Sequence, residues 1–400
     1  MNKKVLIYSD RLLPSSETFV RKQAACLRRY RHAFAGSRFT PACPLDRDNC
    51  VSLTDRGTSG FAREVLYKFS GVSPRFRQKL TDIGADLAHV HFGHAATTFL
   101  PVWRHLSIPM IVTFHGMDAT TTDTWKDSIF HPMMRSFPRR KRELMRSASL
   151  FIAVSKFIKS KLIANGFPAG KIRVHYIGVD NFQPRNKNLD LRSPTVLFVG
   201  RLVRVKGCEY FIRSMQVVQE RHPEVRAVII GDGPLRRELE NLANTRLKNY
   251  RFLGVRPHEE VIERMQRARA LCAPSIRCES GAEEGFGLVL AEAQAAGLPA
   301  VGFATGGITE AIKDGKTGFL VPPENTHSMA NHLCRLLDCE GLWQAFSNAA
   351  RRRVRQRFDL QKQTTTLESI YDRVCESWQR QGESQQNTSE QRKRIHAYMH

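Results

Sequence analysis

Two glutamates, Glu284 and Glu292, stand eight residues apart in Glu-Gly-Phe-Gly-Leu-Val-Leu-Ala-Glu. A glycine-softened turn before good helix formers lets backbone approach a ligand closely. A helix from about Gly287 would offer free N–H groups and positive dipole to a phosphate, and Gly297-Leu298-Pro299 supplies the stop signal. One carboxylate then precedes the anion site and the other lies inside the helix. At ~1.5 Å per residue the separation is roughly 12 Å, well beyond the ~5–5.5 Å carboxylate pair of a retaining glycosidase. The pair therefore reads as contacts to two ends of one long ligand, a sugar and a ribose joined by pyrophosphate. Each residue taken singly also suits a solvated surface charge, and Glu283 leaves open which of the two neighbours matters.

Other residues with chemical potential sit after apolar runs. Arg201 and Lys206 follow Thr195-Val-Leu-Phe-Val-Gly200, where two cations can hold a diphosphate and stabilise its developing charge. His115 follows Val112-Thr-Phe114 at a glycine turn, a position that equally suits a structural histidine. His89 and His91 share one face of a strand, with His94 near, but no acidic or cysteine ligand cluster accompanies them, so no metal is expected. Asp46-Arg47-Asp48 spells the Asp-x-Asp of metal-dependent transferases, yet it follows Pro44 rather than a buried strand and is set aside.

The Glu-x7-Glu element resembles the signature of the family 4 retaining glycosyltransferases, which have the GT-B fold. Gly200-Arg201 through Lys206-Gly207 is similar to that family's donor-diphosphate clamp. Gly231-Asp232-Gly233-Pro234 and Gly254-Val255 resemble its nucleotide-proximal loops, and Gly306-Gly307-Ile308 with Gly315 to Val321 completes the series in order. In the N-terminal half, Ser15-Ser-Glu17-Thr18-Phe-Val20, His89-Val-His91-Phe-Gly93 and Thr113-Phe-His115-Gly116 resemble the colanic acid and amylovoran exopolysaccharide branch. The glycine-rich first loop of many relatives is missing from Ser9-Asp-Arg-Leu-Leu-Pro14.

That resemblance implies roles. Glu284 contacts donor-sugar hydroxyls, His115 lies beside the reacting sugar, and Arg201 and Lys206 hold the diphosphate. Gly200, Gly231, Asp232, Gly233 and Val255 line the nucleotide, the backbone of Phe286, Gly287 and Leu288 meets sugar and phosphate, and Glu292 holds the ribose. Glu17, Thr18, Gly116 and Asp118 face the acceptor. The donor is a nucleotide-diphosphate sugar, with UDP favoured over GDP, and the acceptor a glycan or polyprenyl-linked glycan. No cofactor or metal is expected, and the reaction is same-face substitution with retention. A GT-B nucleotide-sugar epimerase and a non-enzymatic basic binding protein are the alternatives.

The elements that must position these residues are legible as two repeats. Val5 to Tyr8, Leu87 to Phe92, Met110 to Phe114 and Leu150 to Val154 are β-rich runs separated by helix-length segments. Val196 to Val199, Ala227 to Ile230, Ala270 to Ala273 and Ala300 to Phe303 repeat the pattern. Such alternation predicts parallel α/β sheets with ligands at the carboxyl ends of strands. The expected architecture is α/β, with two doubly wound Rossmann-like domains facing a central cleft. The domains are 1–185 on the acceptor side and 195–359 on the donor side, joined by a linker 186–194. The resemblance adds a crossover helix 360–378 returning to the first domain. Residues 379–400 are poor in apolar side chains and read as a disordered tail.

A length of 400 residues suits two domains. Nine scattered cysteines without a Cys-x-x-Cys point to reduced thiols. The start reads as a first strand rather than a signal peptide, and no apolar run reaches the ~18–20 residues of a membrane span. A net charge of +24 asks for an anionic partner. Residues 126–173 carry twelve Lys or Arg against Asp127 and Glu143, with apolar residues interleaved. That mixture suits an anionic membrane surface at the cytoplasmic face as well as a merely solvated basic face. No motif supports nucleic acid as the partner.

Overall fold

The computed structural model describes residues 3–12, 17–40, 50–54, 58–121, 132–182 and 193–398, and side chains within them except at 58–59, 132–139 and 385–398. Asp46-Arg47-Asp48, Ser15-Ser16 and most of the expected linker lie outside the described residues.

The described residues form fifteen strands: β1 Lys3–Tyr8, β2 Arg11–Leu12, β3 Tyr30–Gly36, β4 Arg38–Phe39, β5 Cys50–Ser52, β6 Leu87–His91, β7 Met110–Phe114, β8 Leu150–Ala153, β9 Ile172–Val174, β10 Thr195–Val199, β11 Arg226–Ile230, β12 Tyr250–Gly254, β13 Ala270–Ala273, β14 Ala300–Phe303 and β15 Gly318–Val321. Seven of them make a sheet in the order β5-β3-β1-β6-β7-β8-β9, six make a second in the order β12-β11-β10-β13-β14-β15, and β2 pairs with β4. Every pairing is parallel. Central strands β6, β7, β13 and β14 are buried along their whole length, as a parallel sheet covered by helices on both faces requires.

In each sheet the chain first winds outward on one side and then returns across the starting strand. The two switch points lie between β1 and β6 and between β10 and β13. At such a point adjacent loops diverge and leave a crevice beyond the carboxyl ends of the strands. This is a GT-B architecture. Strands β3, β5, β9, β12 and β15 escaped the apolar-run criterion. All but β3 are sheet edges, and β12 in particular, which includes Phe252-Leu-Gly254, is partly exposed from Tyr250 to Phe252 and buried only at Leu253 and Gly254.

One apolar cluster lies under the second sheet, built around Phe198, Phe211, Met215 and Trp343. Another runs continuously through both domains, from Phe99 and Phe151 to Phe286, Leu290 and Phe358. The third buries Leu367, Ile370, Tyr371, Val374 and Cys375 of the last helix against Val5, Ile7, Leu87, Ile111 and Ile152 of the first sheet. Polar contacts fix that docking: Glu368 accepts from the Arg28 and Arg29 backbone N–H groups at 2.7 and 2.6 Å, and Tyr371 bonds His89 Nδ1 at 2.6 Å.

This helix runs Leu360–Tyr398, which corrects the expectation of a disordered tail from 379 onward. Low apolar content there marks a segment without a packing face. Its Gln, Arg, Glu and Lys are nonetheless good helix formers with no proline among them, and a helix already nucleated by packing propagates at little cost.

Candidate active site

Three strand-end turns of the second domain are laced together at the switch point. Gly200 N–H donates to Ile230 O at 3.0 Å, Leu202 N–H to Asp232 O at 2.9 Å, and Gly231 N–H to Gly254 O at 2.9 Å. The chain then makes a 3-10 turn over Arg204–Lys206, and Lys206 Nζ donates to Glu284 Oε2. A shallow recess opens here between β10 and β13, lined by Val199, Lys206, Ser275, Glu284, Gly287 and Ile308 among others. Burial alone would raise the Glu284 carboxyl. The Lys206 ammonium, the Gly287 N–H and the Arg201 charge together hold it below the ordinary value. Arg201 itself is exposed at the mouth.

The loop 283–287 is pinned from both domains. Gly285 O accepts from Ser155 Oγ at 2.6 Å, Glu283 N–H donates to Thr120 Oγ1 at 3.3 Å, and Glu284 O accepts from Gly307 N–H at 2.8 Å. A Cβ on Gly285 would lie 2.0 Å from His115 O, so only glycine permits this approach. Gly287, at φ 79°, turns the chain into the helix Leu288–Ala295. The ambiguity between neighbouring glutamates is resolved: Glu283 pairs outward with Arg277 at 3.2 Å and Lys161 at 3.8 Å, whereas Glu284 turns into the recess.

Phe286 is 2% exposed and packs edge-on against Phe358 at 5.2 Å, so only its backbone is available to a ligand. Glu292, about one turn along the helix, lies 3.7 Å from His258 Nδ1 and feels the charges of Lys22 and Asp180 from the first domain. Burial pushes its carboxyl up to about 7. Asp232 is exposed and held below its ordinary value by the Gly233 N–H at 2.7 Å and by Arg236 at 3.0 Å. Val255 is 66% exposed.

Facing this loop, the ends of β6 and β7 carry the histidines. His91 Nδ1 and His115 Nε2 are 3.0 Å apart, and the His115 ring lies 5.1 Å from Phe19 and 4.6 Å from Phe92. Burial pushes His91 down to about 3, and burial with the neighbouring imidazoles lowers His115 strongly, so the pair is neutral at physiological pH. The buried His115 Nδ1 has no hydrogen-bond partner among the described residues. Glu17 and Thr18 sit next to this cluster at the start of helix Thr18–Ala25. Ser9 Oγ donates to Glu17 at 3.2 Å, and burial raises the Glu17 carboxyl to about 7.

Asp118 departs from the acceptor-side expectation. Its carboxylate accepts from the N–H groups of Gly93, His115 and Gly116 at 2.9, 3.1 and 2.9 Å, so it ties the β6 and β7 turns together. His89 is likewise fully engaged, with Tyr371 and with Thr113 at 2.7 Å. Among the described residues no three His, Cys, Asp or Glu side chains converge on a metal position, and no helix is long and apolar enough to cross a membrane.

The sequence reading missed Ser155, His258 and the Lys22–Asp180 pair at 2.6 Å. Ser155 did carry a signal, since a serine between an apolar strand and a helix is a common cap, and its Oγ accepts from Ile158 N–H at 3.0 Å. His258 and the Lys22–Asp180 pair have none, because they meet Glu292 only through tertiary packing.

His115→Ala is expected to lower turnover roughly 100-fold by freeing its ring neighbours, while nucleotide affinity holds within a factor of about two, since His115 stands off the Lys206 recess. Stopped turnover assays with calorimetric titration check this, and a loss of folding instead would assign His115 a purely structural part.

Residues 179–353 match the model of glycosyl transferases group 1, and residues 17–181 that of glycosyltransferase family 4. An amylovoran biosynthesis glycosyltransferase of Erwinia amylovora is 29% identical over 300 residues, 73% of this chain and 71% of the relative. A putative colanic acid biosynthesis glycosyltransferase of Escherichia coli is 28% identical over 267 residues, 64% of this chain and 62% of the relative. Among solved structures, an Anabaena protein in complex with UDP-glucose superposes with a TM-score of 0.71 at 20% identity, over 92% of this chain and 99% of the other.

Proposed function

Because the chain belongs to the glycosyltransferases, with a family 4 domain followed by a group 1 domain on a GT-B fold, we propose that it moves a sugar from a nucleoside-diphosphate sugar, with retention, to a lipid-linked or growing surface polysaccharide. The observation that carries this reading is the Lys206–Glu284 pair across the β10/β13 recess. A lysine there can exchange its carboxylate partner for a diphosphate, which frees Glu284 for sugar hydroxyls. We assign UDP as the nucleotide, in keeping with the neighbour solved with UDP-glucose. The polysaccharide acceptor accords with the relatives named for amylovoran and colanic acid.

In this mechanism Arg201 and Lys206 neutralise charge on the departing phosphate, where preorganised cations are most effective. The neutral His115 holds sugar or acceptor by hydrogen bonding and carries no charge into the step. Glu284, kept ionised beside Lys206, orients the sugar. The acceptor hydroxyl attacks from the face the phosphate leaves, and that phosphate takes its proton. No metal or carboxylate nucleophile is assigned. We place the reaction at the cytoplasmic membrane face, on the grounds of the +24 charge and a lipid-linked acceptor.

The two glutamates should fail differently. Glu292→Ala is expected to weaken UDP binding by ~1.5–3 kcal/mol, the value of a buried charged hydrogen bond, because the ribose is present in UDP. Glu284→Ala should leave UDP binding unchanged or slightly tighter, since Lys206 loses an internal competitor, and lower transfer instead. The pH dependence separates them further. Folded Glu292 keeps its proton until about pH 7 rather than the ordinary 4.5, so its contribution to stability declines as pH rises between those values and is flat above. Ribose hydroxyls donate to the ionised form, so UDP affinity should rise as pH passes upward through about 7, and Glu292→Gln should abolish that rise. Equal losses of binding and transfer in both variants would show the roles to be wrongly divided.

A further inference from the structure

The helix Thr58–Ser70 is amphipathic in the opposite sense from an ordinary surface helix. Glu64, Tyr67 and Lys68 face the protein. Lys68 pairs with Glu64 and, at 3.1 Å, with Asp10; Arg38 reaches Glu64 at 3.5 Å; and Tyr67 donates to Thr98 O at 3.0 Å. Its large apolar residues face solvent: Phe61 is 62% exposed, Leu66 65%, Phe69 71% and Val72, just past its end, 65%, with Val65 beside them. Steps of four from Phe61 to Val65 to Phe69, and of three from Leu66 to Phe69, make these residues neighbours on one broad face. A contiguous exposed apolar patch of this kind marks an interaction surface.

Charge identifies the occupant. Between residues 58 and 82 the exposed charged side chains are Arg63, Arg75, Arg77 and Lys79 against the single acid Asp82, while Glu64 is buried in its ion pairs. Arg140 of the basic helix Pro132–Ser147 reaches Gly71 at the end of the patch, where a Cβ would lie 3.6 Å from its Nη2. Two copies meeting through this face would stack like charges. An anionic bilayer neutralises them at about 1 kcal/mol per well-placed cation and accepts the apolar face in its headgroup region.

We propose that the helix Thr58–Ser70 docks on an anionic lipid bilayer, inserting Phe61, Leu66, Phe69 and Val72, with the flanking cations at the headgroups. This rests on the membrane-face reading above and names the surface responsible. It also relocates it: within Arg139-Arg140-Lys141-Arg142, Arg140 is held by Thr97 O at 3.2 Å and Lys141 lies over the Phe167 ring, so that run is partly structural. The Lys68–Asp10 pair ties the helix to the residues following β1, at the carboxyl ends of the central strands, where His91 and His115 also lie. The docked helix therefore holds the acceptor side of the cleft at the lipid surface, where a lipid-linked acceptor is found.

The test uses the full chain with vesicles of phosphatidylcholine alone or mixed equally with phosphatidylglycerol. The wild type should sediment with the mixed vesicles, and binding should persist in part at roughly 0.5 M salt, where screening removes most of the charge contribution. The triple variant Phe61→Ser, Leu66→Ser, Phe69→Ser should bind about 100-fold more weakly while binding UDP as before, which shows it folded. Phe69→Trp should shift its emission to the blue on adding mixed vesicles. Equal vesicle binding by triple variant and wild type, or an unshifted tryptophan, would overturn the proposal. So would lipid-free dimers of the wild type that the triple variant abolishes without any vesicle binding, since the occupant would then be a second copy. Absence of UDP binding or sugar transfer in a protein that docks as described would count against the catalytic reading and leave the docking surface standing.

Discussion

Lys206→Ala is expected to reduce sugar transfer by about 10³-fold and to weaken UDP binding alongside it. The reason is the position of the ammonium: it is bonded to Glu284 over a recess between β10 and β13, and Arg201 is the other cation acting on that carboxylate. Removing a charge preorganised at a developing phosphate costs two to three orders of magnitude in turnover. The same change leaves Glu284 enclosed without its nearest counterion, so burial is opposed only by the Gly287 N–H and the Arg201 charge and its carboxyl should rise from its present depressed position. Transfer by the variant should then gain with pH across a range where the wild type is flat. Lys206→Arg should restore UDP binding more fully than transfer, because the guanidinium keeps the charge but changes its geometry. Wild-type rates from Lys206→Ala would remove the diphosphate clamp from the mechanism.

Gly285→Ala should damage both stability and transfer, through the contact between the two domains. A Cβ there falls 2.0 Å from His115 O and 2.9 Å from Gly116 Cα, backbone atoms with no room to yield. The loop must retreat from the first domain, lengthening the 2.6 Å bond from Ser155 Oγ and shifting Glu284 one residue away. Overpacking of this sort costs about 3 kcal/mol, and displacement of a positioning group by about 1 Å costs roughly 100-fold in rate. Thermal unfolding should show the first effect and single-turnover kinetics the second. Gly341→Ala provides the control, since a Cβ there meets nothing within 4 Å and its backbone is not in the left-handed region. Equal behaviour of the two variants would mean that the interdomain contact does not hold the site.

Local sequence was informative wherever one short segment carries both the fold and the chemistry. Largely apolar runs such as Met110 to Phe114 and Ala270 to Ala273 are buried on both faces, and that burial is what a parallel sheet between helices demands. Gly287 before Leu288–Ala295 reads as a helix start because glycine adopts φ 79° without strain, and that start fixes the spacing between Glu284 and Glu292. Half-buried edge strands gave no such signal, because solvent on one side relaxes the demand for apolar residues.

Glu284 rather than Glu283 faces the recess because each carboxylate found a different set of cations, Lys206 for one and Arg277 with Lys161 for the other. Asp118 became a tie between two turns because three N–H groups converge on it from β6 and β7. The helix Thr58–Ser70 looks from its composition like any mixed amphipathic segment. Only its neighbours, Asp10 and Arg38 drawing Glu64 and Lys68 inward, decide that the apolar side is the one turned outward. The sequence by itself thus determined the family, the two-domain α/β architecture and the eight-residue frame of the site, since these depend on backbone periodicity and on residues adjacent in the chain. The tertiary structure alone decided which charges are paired, which histidines are neutral and which face is left uncovered, because burial and Coulomb interactions depend on distances between residues that the chain brings together only when it folds.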